Sequence, residues 1–126
     1  MKIVPSEFSN SAWNSFIFAK EIAYKNHQQN IDSDNLFLAL IKQDNLTKKI
    51  LKKNNVNIKE IEKEIMSSLN LKAKMKNKQD NLYIVDTLYK IFLKANDIKN
   101  TFDDVVVSTE HLLYSLTIMI NMVYKF

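Results

Sequence analysis

Apolar residues return along this chain at intervals of three and four, the period of helices with one buried face. Ala12, Phe16, Ala19 and Ala23 form the first such face, which predicts a helix from an N-cap at Ser9 to about His27. Trp13, Ile17 and Tyr24 widen that stripe, so burial on more than one side is expected. After a polar turn at residues 27–30, Asp32 caps a second helix carrying Leu36, Phe37, Leu40 and Ile41. The pattern breaks at Asp44-Asn45, and a short helix follows with Leu46, Ile50 and Leu51 apolar, ending at Asn54-Asn55. Ile58, Ile61, Ile65 and Leu69 define a fourth helix, with Glu60, Glu62 and Glu64 towards its N-terminal half, where they complement the helix dipole. Residues 70–81 carry Lys72, Lys74, Lys76 and Lys78 without apolar periodicity, and read as an exposed connector with little fixed structure. Leu88, Phe92 and Ala95 then restart the helical pattern. Thr101 to Asp104 make a turn, Ser108 caps, and a last helix runs through Leu112, Leu113 and Leu116. Trp13, Phe16, Tyr89 and Phe92 are expected in the core, and His111 as a surface or packed imidazole.

The stretch 107–116, VSTEHLLYSL, is a second copy of 31–40, IDSDNLFLAL. A constant offset of 76 places Val107 on Ile31, Ser108 on Asp32, Glu110 on Asp34, Leu112 on Leu36 and Leu116 on Leu40. The same offset aligns Leu88, Tyr89, Phe92, Ala95 and Ile98 with Ala12, Trp13, Phe16, Ala19 and Ile22. Both copies read β-branched residue, capping residue, acid two places on, then a leucine-rich helix. The expected fold is therefore all-α, two pseudo-symmetric four-helix repeats sharing one core in one domain spanning residues 1–126. Repeat 1 covers about residues 6–70, the connector about 71–81, and repeat 2 about 82–126. No counterparts of the third and fourth helices follow residue 116, so the second repeat is incomplete.

Composition narrows the chemistry. The chain has no Gly and one Pro, which removes the usual source of positive φ and disfavours tight hairpins, phosphate-cradling loops and dinucleotide turns. With no Cys and two His, neither a disulfide framework nor a His-based metal cage is expected. No apolar run suits a signal peptide or a membrane helix. The net charge of +4 comes with eighteen basic residues, all Lys, so the bidentate contacts of Arg are missing and nucleic acid is not an expected partner. No nucleophile is paired with a base and no Walker motif is present, so the chain alone is expected to have no enzymatic activity and no cofactor.

At these residues the chain resembles the N-terminal domain of the Clp family of ATP-driven unfoldases, its ClpB branch most closely. The opening FSNSAW is similar to the family's Phe-Thr-x-x-Ala start, with Ser9 for Thr; the two copies resemble its Ile-x-x-Glu-His-Leu-Leu-x-Ala-Leu elements. Asp34-Asn35 replaces Glu-His in the first copy, and Asn55 stands where the family's Gly-Val-Asp-type turn has Gly. The resemblance implies a module ahead of AAA+ ATPase rings that recruits exposed apolar segments of unfolded or aggregated proteins. The alternative it implies is adaptor docking in the manner of ClpC or ClpA. Substrate-binding roles carry over to Ser9, Asp104 and Glu110, and, from relatives in which the paired acids bind phosphoarginine, to Asp34 and Glu110. ATP would belong to the full-length protein, a hexamer, with the isolated domain a monomer; the expected setting is bacterial cytoplasm or a plastid-type organelle.

Overall fold

The computed structural model describes the backbone of residues 1–124 and side chains as far as Met119. Pro5–Glu7 form a single 3-10 turn, and Ser9, in extended conformation, accepts the Ala12 N–H on its hydroxyl at 3.2 Å. That cap starts α1 (Asn10–Lys25), whose Ala12, Phe16, Ala19 and Ala23 are buried as their spacing predicts. Strand β1 (Asn30–Ile31) leads into Asp32, whose carboxylate accepts the Ser33 N–H while the Asn35 side chain accepts the Asp32 N–H at 2.9 Å. This reciprocal pair satisfies two otherwise orphaned donors and fixes the start of α2 (Ser33–Gln43), the most deeply buried helix. Asp44 both ends α2 and caps α3 (Asn45–Lys53) by accepting from Thr47, and Asn57 caps α4 (Ile58–Asn70) by accepting the Glu60 N–H. Strand β2 (Tyr83–Ile84), α5 (Asp86–Thr101) and α6 (Thr109–Tyr124) complete the element order. The helix at 120 runs straight on where α2 stops: Asp44 becomes Ile120 at the repeat offset, and isoleucine has no oxygen with which to cap a following helix. Among the described residues nothing corresponds to α3 and α4 after α6, and the end of the tail expected in repeat 2 lies outside them.

The two repeats are held together by an exchange of extended segments that the helical periodicity did not predict. Phe8 bridges Val107 in parallel, and Ile84 of β2 pairs with Ile31 of β1, also parallel. The offset of 76 carries Phe8 to Ile84 and Ile31 to Val107, so the entry segment of each repeat pairs with the strand before the leucine-rich helix of the other. Ser9 N–H donates to Val107 O at 2.9 Å, and its counterpart Val85 N–H to Ile31 O at 3.2 Å. Behind these bridges Phe8, Phe16 and Phe92 stack edge-to-face in the shared core, the Phe16–Phe92 pair with centroids 5.4 Å apart.

Three expectations change. Trp13 and Tyr89 are half-buried rather than core, and Ile17 and Tyr24 are exposed, because α2 and α6 cover only one side of α1. On the other side the Lys78 ammonium lies over the Tyr24 ring. The connector is exposed over most of its length but anchored: Met75 N–H donates to His27 O at 2.8 Å, and Lys72 reaches Asp32 at 3.0 Å. Positive φ does occur without glycine, at His27 (57°), Asn55 (59°) and Asp103 (56°). Each follows a helix end, and the next residue's N–H returns to the last helical turn, Gln28 to Ala23, Val56 to Leu51 and Asp104 to Lys99.

Candidate polypeptide-binding groove

The ends of α3 and α5 and the starts of α4 and α6 converge around a groove of about 1180 Å³. Its floor is apolar, with Leu51, Ile61, Ile98 and Leu113. Phe102, 66% exposed, and Tyr114, 56% exposed, stand on its rim. Four carboxylates line it as well, Glu60, Glu64, Asp104 and Glu110. Among the described residues no Lys does. The fully charged side chains described along the groove are therefore all carboxylates, an arrangement that favours a cationic ligand over an anionic one.

His111 ties the rim to the fold. It occupies in α6 the place Asn35 has in α2: Ser108 N–H donates to His111 Nδ1 at 2.9 Å, as Asp32 N–H donates to Asn35. An accepting Nδ1 leaves the proton on Nε2, which donates to Asp104 Oδ2 at 2.8 Å. The Ser108 hydroxyl sits 3.1 Å from the same Nδ1. Asp104 is thus held in place by a buried imidazole, while the rest of its carboxylate faces solvent.

The four candidate residues separate. Asp104 and Glu110 line the groove, 110 exposed at the first turn of α6. Ser9 does not line it; its hydroxyl caps α1 and its amide joins the bridge to Val107. Asp34 is only 8% exposed, and is occupied within the fold by the Ser68 hydroxyl and, at 3.7 Å, by Lys72. Burial alone would lower the Lys72 pKa, but its hydrogen bond to Asp32 and the charges of Asp32 and Asp34 outweigh this and hold it above the ordinary value of about 10.5. A raised lysine pKa means the cluster's contribution to stability is complete at neutral pH and is lost only as pH climbs through that raised value. Glu60, Glu64, Phe102 and Tyr114 escape sequence reasoning. The spacing of Glu60 and Glu64 on one side of α4 is the signal that could have found them, but it is shared by any solvated helix face.

The model of the Clp repeat (R) N-terminal domain matches residues 7–121. The chain belongs to the Clp repeat N-terminal domain family. Over 117 residues this Clp repeat domain is 33% identical to the chaperone protein ClpB of Prochlorococcus marinus, covering 93% of the chain and 14% of that protein. Over 109 residues it is 28% identical to ClpB 2 of Synechocystis, covering 86% of the chain and 12% of that protein. The chain therefore spans a small part of the length of these relatives. Its fold is that of the Hsp104 N-terminal domain from Candida albicans, with TM-score 0.80, 18% identity, and 92% and 81% of the two chains covered. The N-terminal domain of ClpD from Arabidopsis thaliana also matches, with TM-score 0.66, 15% identity, and 92% and 79% covered.

Proposed function

We propose that this Clp repeat domain is the substrate-recruiting N-terminal domain of a ClpB-type disaggregase, and that its groove captures exposed apolar segments of unfolded or aggregated polypeptides. The observation that carries this reading is the groove itself: an apolar floor, two exposed aromatic rings and an acidic rim on which, among the described residues, no lysine lies. Aromatic side chains supply contact area at small cost in conformational entropy, and the carboxylates favour the basic residues that flank apolar segments in many chains. Capture of this kind is weak, because an unstructured client loses conformational freedom on binding. ATP turnover is assigned to AAA+ rings of a longer protein, and this chain alone is expected to give background hydrolysis. Cytoplasm or a plastid-type compartment fits the cyanobacterial ClpB relatives.

Anisotropy titration with labelled lysozyme, reduced and blocked with iodoacetamide so that it stays unfolded and cationic, tests this reading. Saturable binding is expected, weakened about fivefold or more by Phe102→Ala and by Glu110→Ala, the loss of about 1 kcal/mol typical of a contributing interface residue. Binding indifferent to both changes refutes the assignment. Capture of one stoichiometric folded protein, with no affinity for the unfolded probe, replaces it with adaptor docking.

A further inference from the structure

The internal repeat supplies a comparison for the groove rim. The offset of 76 carries Gln28 to Asp104 and Asn35 to His111. Both pairs sit on the same backbone frame. Gln28 and Asp104 each follow a residue of positive φ and return their N–H to the preceding helix, while Asn35 and His111 each accept the N–H of a capping residue, Asp32 or Ser108. One side-chain bond closes each pair, Asn35 Nδ2 to Gln28 Oε1 at 3.1 Å and His111 Nε2 to Asp104 Oδ2 at 2.8 Å. A long amide meets a short one in repeat 1, and a short carboxylate meets a long imidazole in repeat 2. The fold thus builds this network from neutral amides where it is sealed, Gln28 being 3% and Asn35 0% exposed, and from an acid and a base where it borders the groove. The geometry itself needs no charge, and only the repeat 2 pair can take up a proton.

We propose that the Asp104–His111 pair is a proton-operated switch that lowers the groove's preference for cationic segments as pH falls. Imidazole is the side chain that changes charge between about pH 5 and 8. In the neutral form Nδ1 accepts the Ser108 N–H, and the Asp104 charge is left to act on the groove. A proton from solvent binds Nδ1, after which neither ring nitrogen can accept. The Ser108 N–H loses its partner, and the Ser108 hydroxyl, 3.1 Å from Nδ1, accepts the new N–H instead. The bond from Nε2 to Asp104 becomes charge-assisted, and the pair passes from one negative charge to none. The titratable groups that line the groove with His111 are Asp104 from the α5–α6 turn, Glu110 and Tyr114 of α6, and Glu60 and Glu64 of α4; the other helices bring none to it among the described residues. The four carboxylates favour the imidazolium, and the positive end of the α6 dipole opposes it. The inference rests on reading the groove as a site for polypeptides with basic residues, and adds its control by pH.

NMR of the isotope-labelled 126-residue chain tests the switch without any substitution. Between about pH 8 and 5 the His111 ring, assigned against His27, should go from one protonated nitrogen to two, and the Ser108 amide should shift with the same midpoint. A ring that stays neutral down to about pH 5, or a Ser108 amide indifferent to its titration, overturns the proposal. Affinity for the reduced, iodoacetamide-blocked lysozyme at constant ionic strength should fall about threefold or more between about pH 7.5 and 5.5. The double variant Asp104→Gln, His111→Asn installs the repeat 1 pair and should lose that dependence. Equal pH dependence in both proteins overturns the proposal, because it assigns the effect to the remaining carboxylates or to the probe. So does an affinity that stays constant while the ring titrates. Absence of lysozyme binding at both pH values refutes the polypeptide groove and the consequence for its ligands, while the ring and amide titrations still decide the switch itself.

Discussion

His111 is bonded at both ring nitrogens, to the Ser108 amide that opens α6 and to the Asp104 carboxylate on the groove rim. The two bonds differ in what surrounds them. The imidazole is buried, and its Nδ1 is the acceptor for a helix-start amide; Asp104 is half exposed, so water can replace much of what its carboxylate provides. His111→Ala should therefore cost about 1–2 kcal/mol, the loss of a cap interaction plus a small cavity, whereas Asp104→Ala should cost about 0.5 kcal/mol. Urea denaturation of both variants checks the order, and an Asp104 variant as destabilised as His111→Ala would show that the rim carboxylate is part of the fold. The positions of Asp104 and Glu110 at a turn and a helix start were legible in the sequence, because turn and cap residues have local signatures. Phe102 and Tyr114 were not, since whether an aromatic ring is exposed depends on which helix lies opposite it, and that is not written in its own neighbourhood.

The helices themselves were the most legible part of the fold. Ser9, Asp32, Asp44 and Asn57 all cap where the polar breaks in the pattern lie, and the buried stripes of α1, α4 and α5 follow their spacing. What the pattern hid was how a chain without glycine ends three helices in the left-handed region. His, Asn and Asp tolerate that conformation better than other residues, because a short polar side chain can bond locally, and here the returning amide bonds hold each turn in place. Asn55 makes the argument quantitative. Asn55→Gly should change stability by only a few tenths of a kcal/mol, relief of the left-handed cost being offset by a more flexible unfolded chain. Asn55→Val should cost about 1–2 kcal/mol, as a β-branched side chain is forced into positive φ. Thermal melts of the two variants check this, and a harmless valine would mean that the turn re-forms with another backbone.

For the whole molecule, the exchange of entry segments between repeats decides how it folds. A tandem repeat read from its sequence suggests two units that fold and then dock. The structure instead gives each half an edge that only the other half completes, Phe8 on Val107 and Ile84 on Ile31, with Phe16 and Phe92 in contact between them. The second half holds only two helices among the described residues, so cut from the first it could bury α5 and α6 against nothing but each other. Short chains with one helix contact bury too little apolar area to offset their conformational entropy. Fragments 1–76 and 77–126, prepared separately, should therefore lack a cooperative thermal transition, while an equimolar mixture should recover helical circular dichroism and a single transition whose midpoint rises with concentration. Cooperative unfolding of fragment 1–76 alone, at the midpoint of the intact chain, would show that repeat 1 is a self-sufficient domain and the exchanged bridges are ornament to it. The groove between the repeats would then depend on how a separately docked second repeat is held against the first.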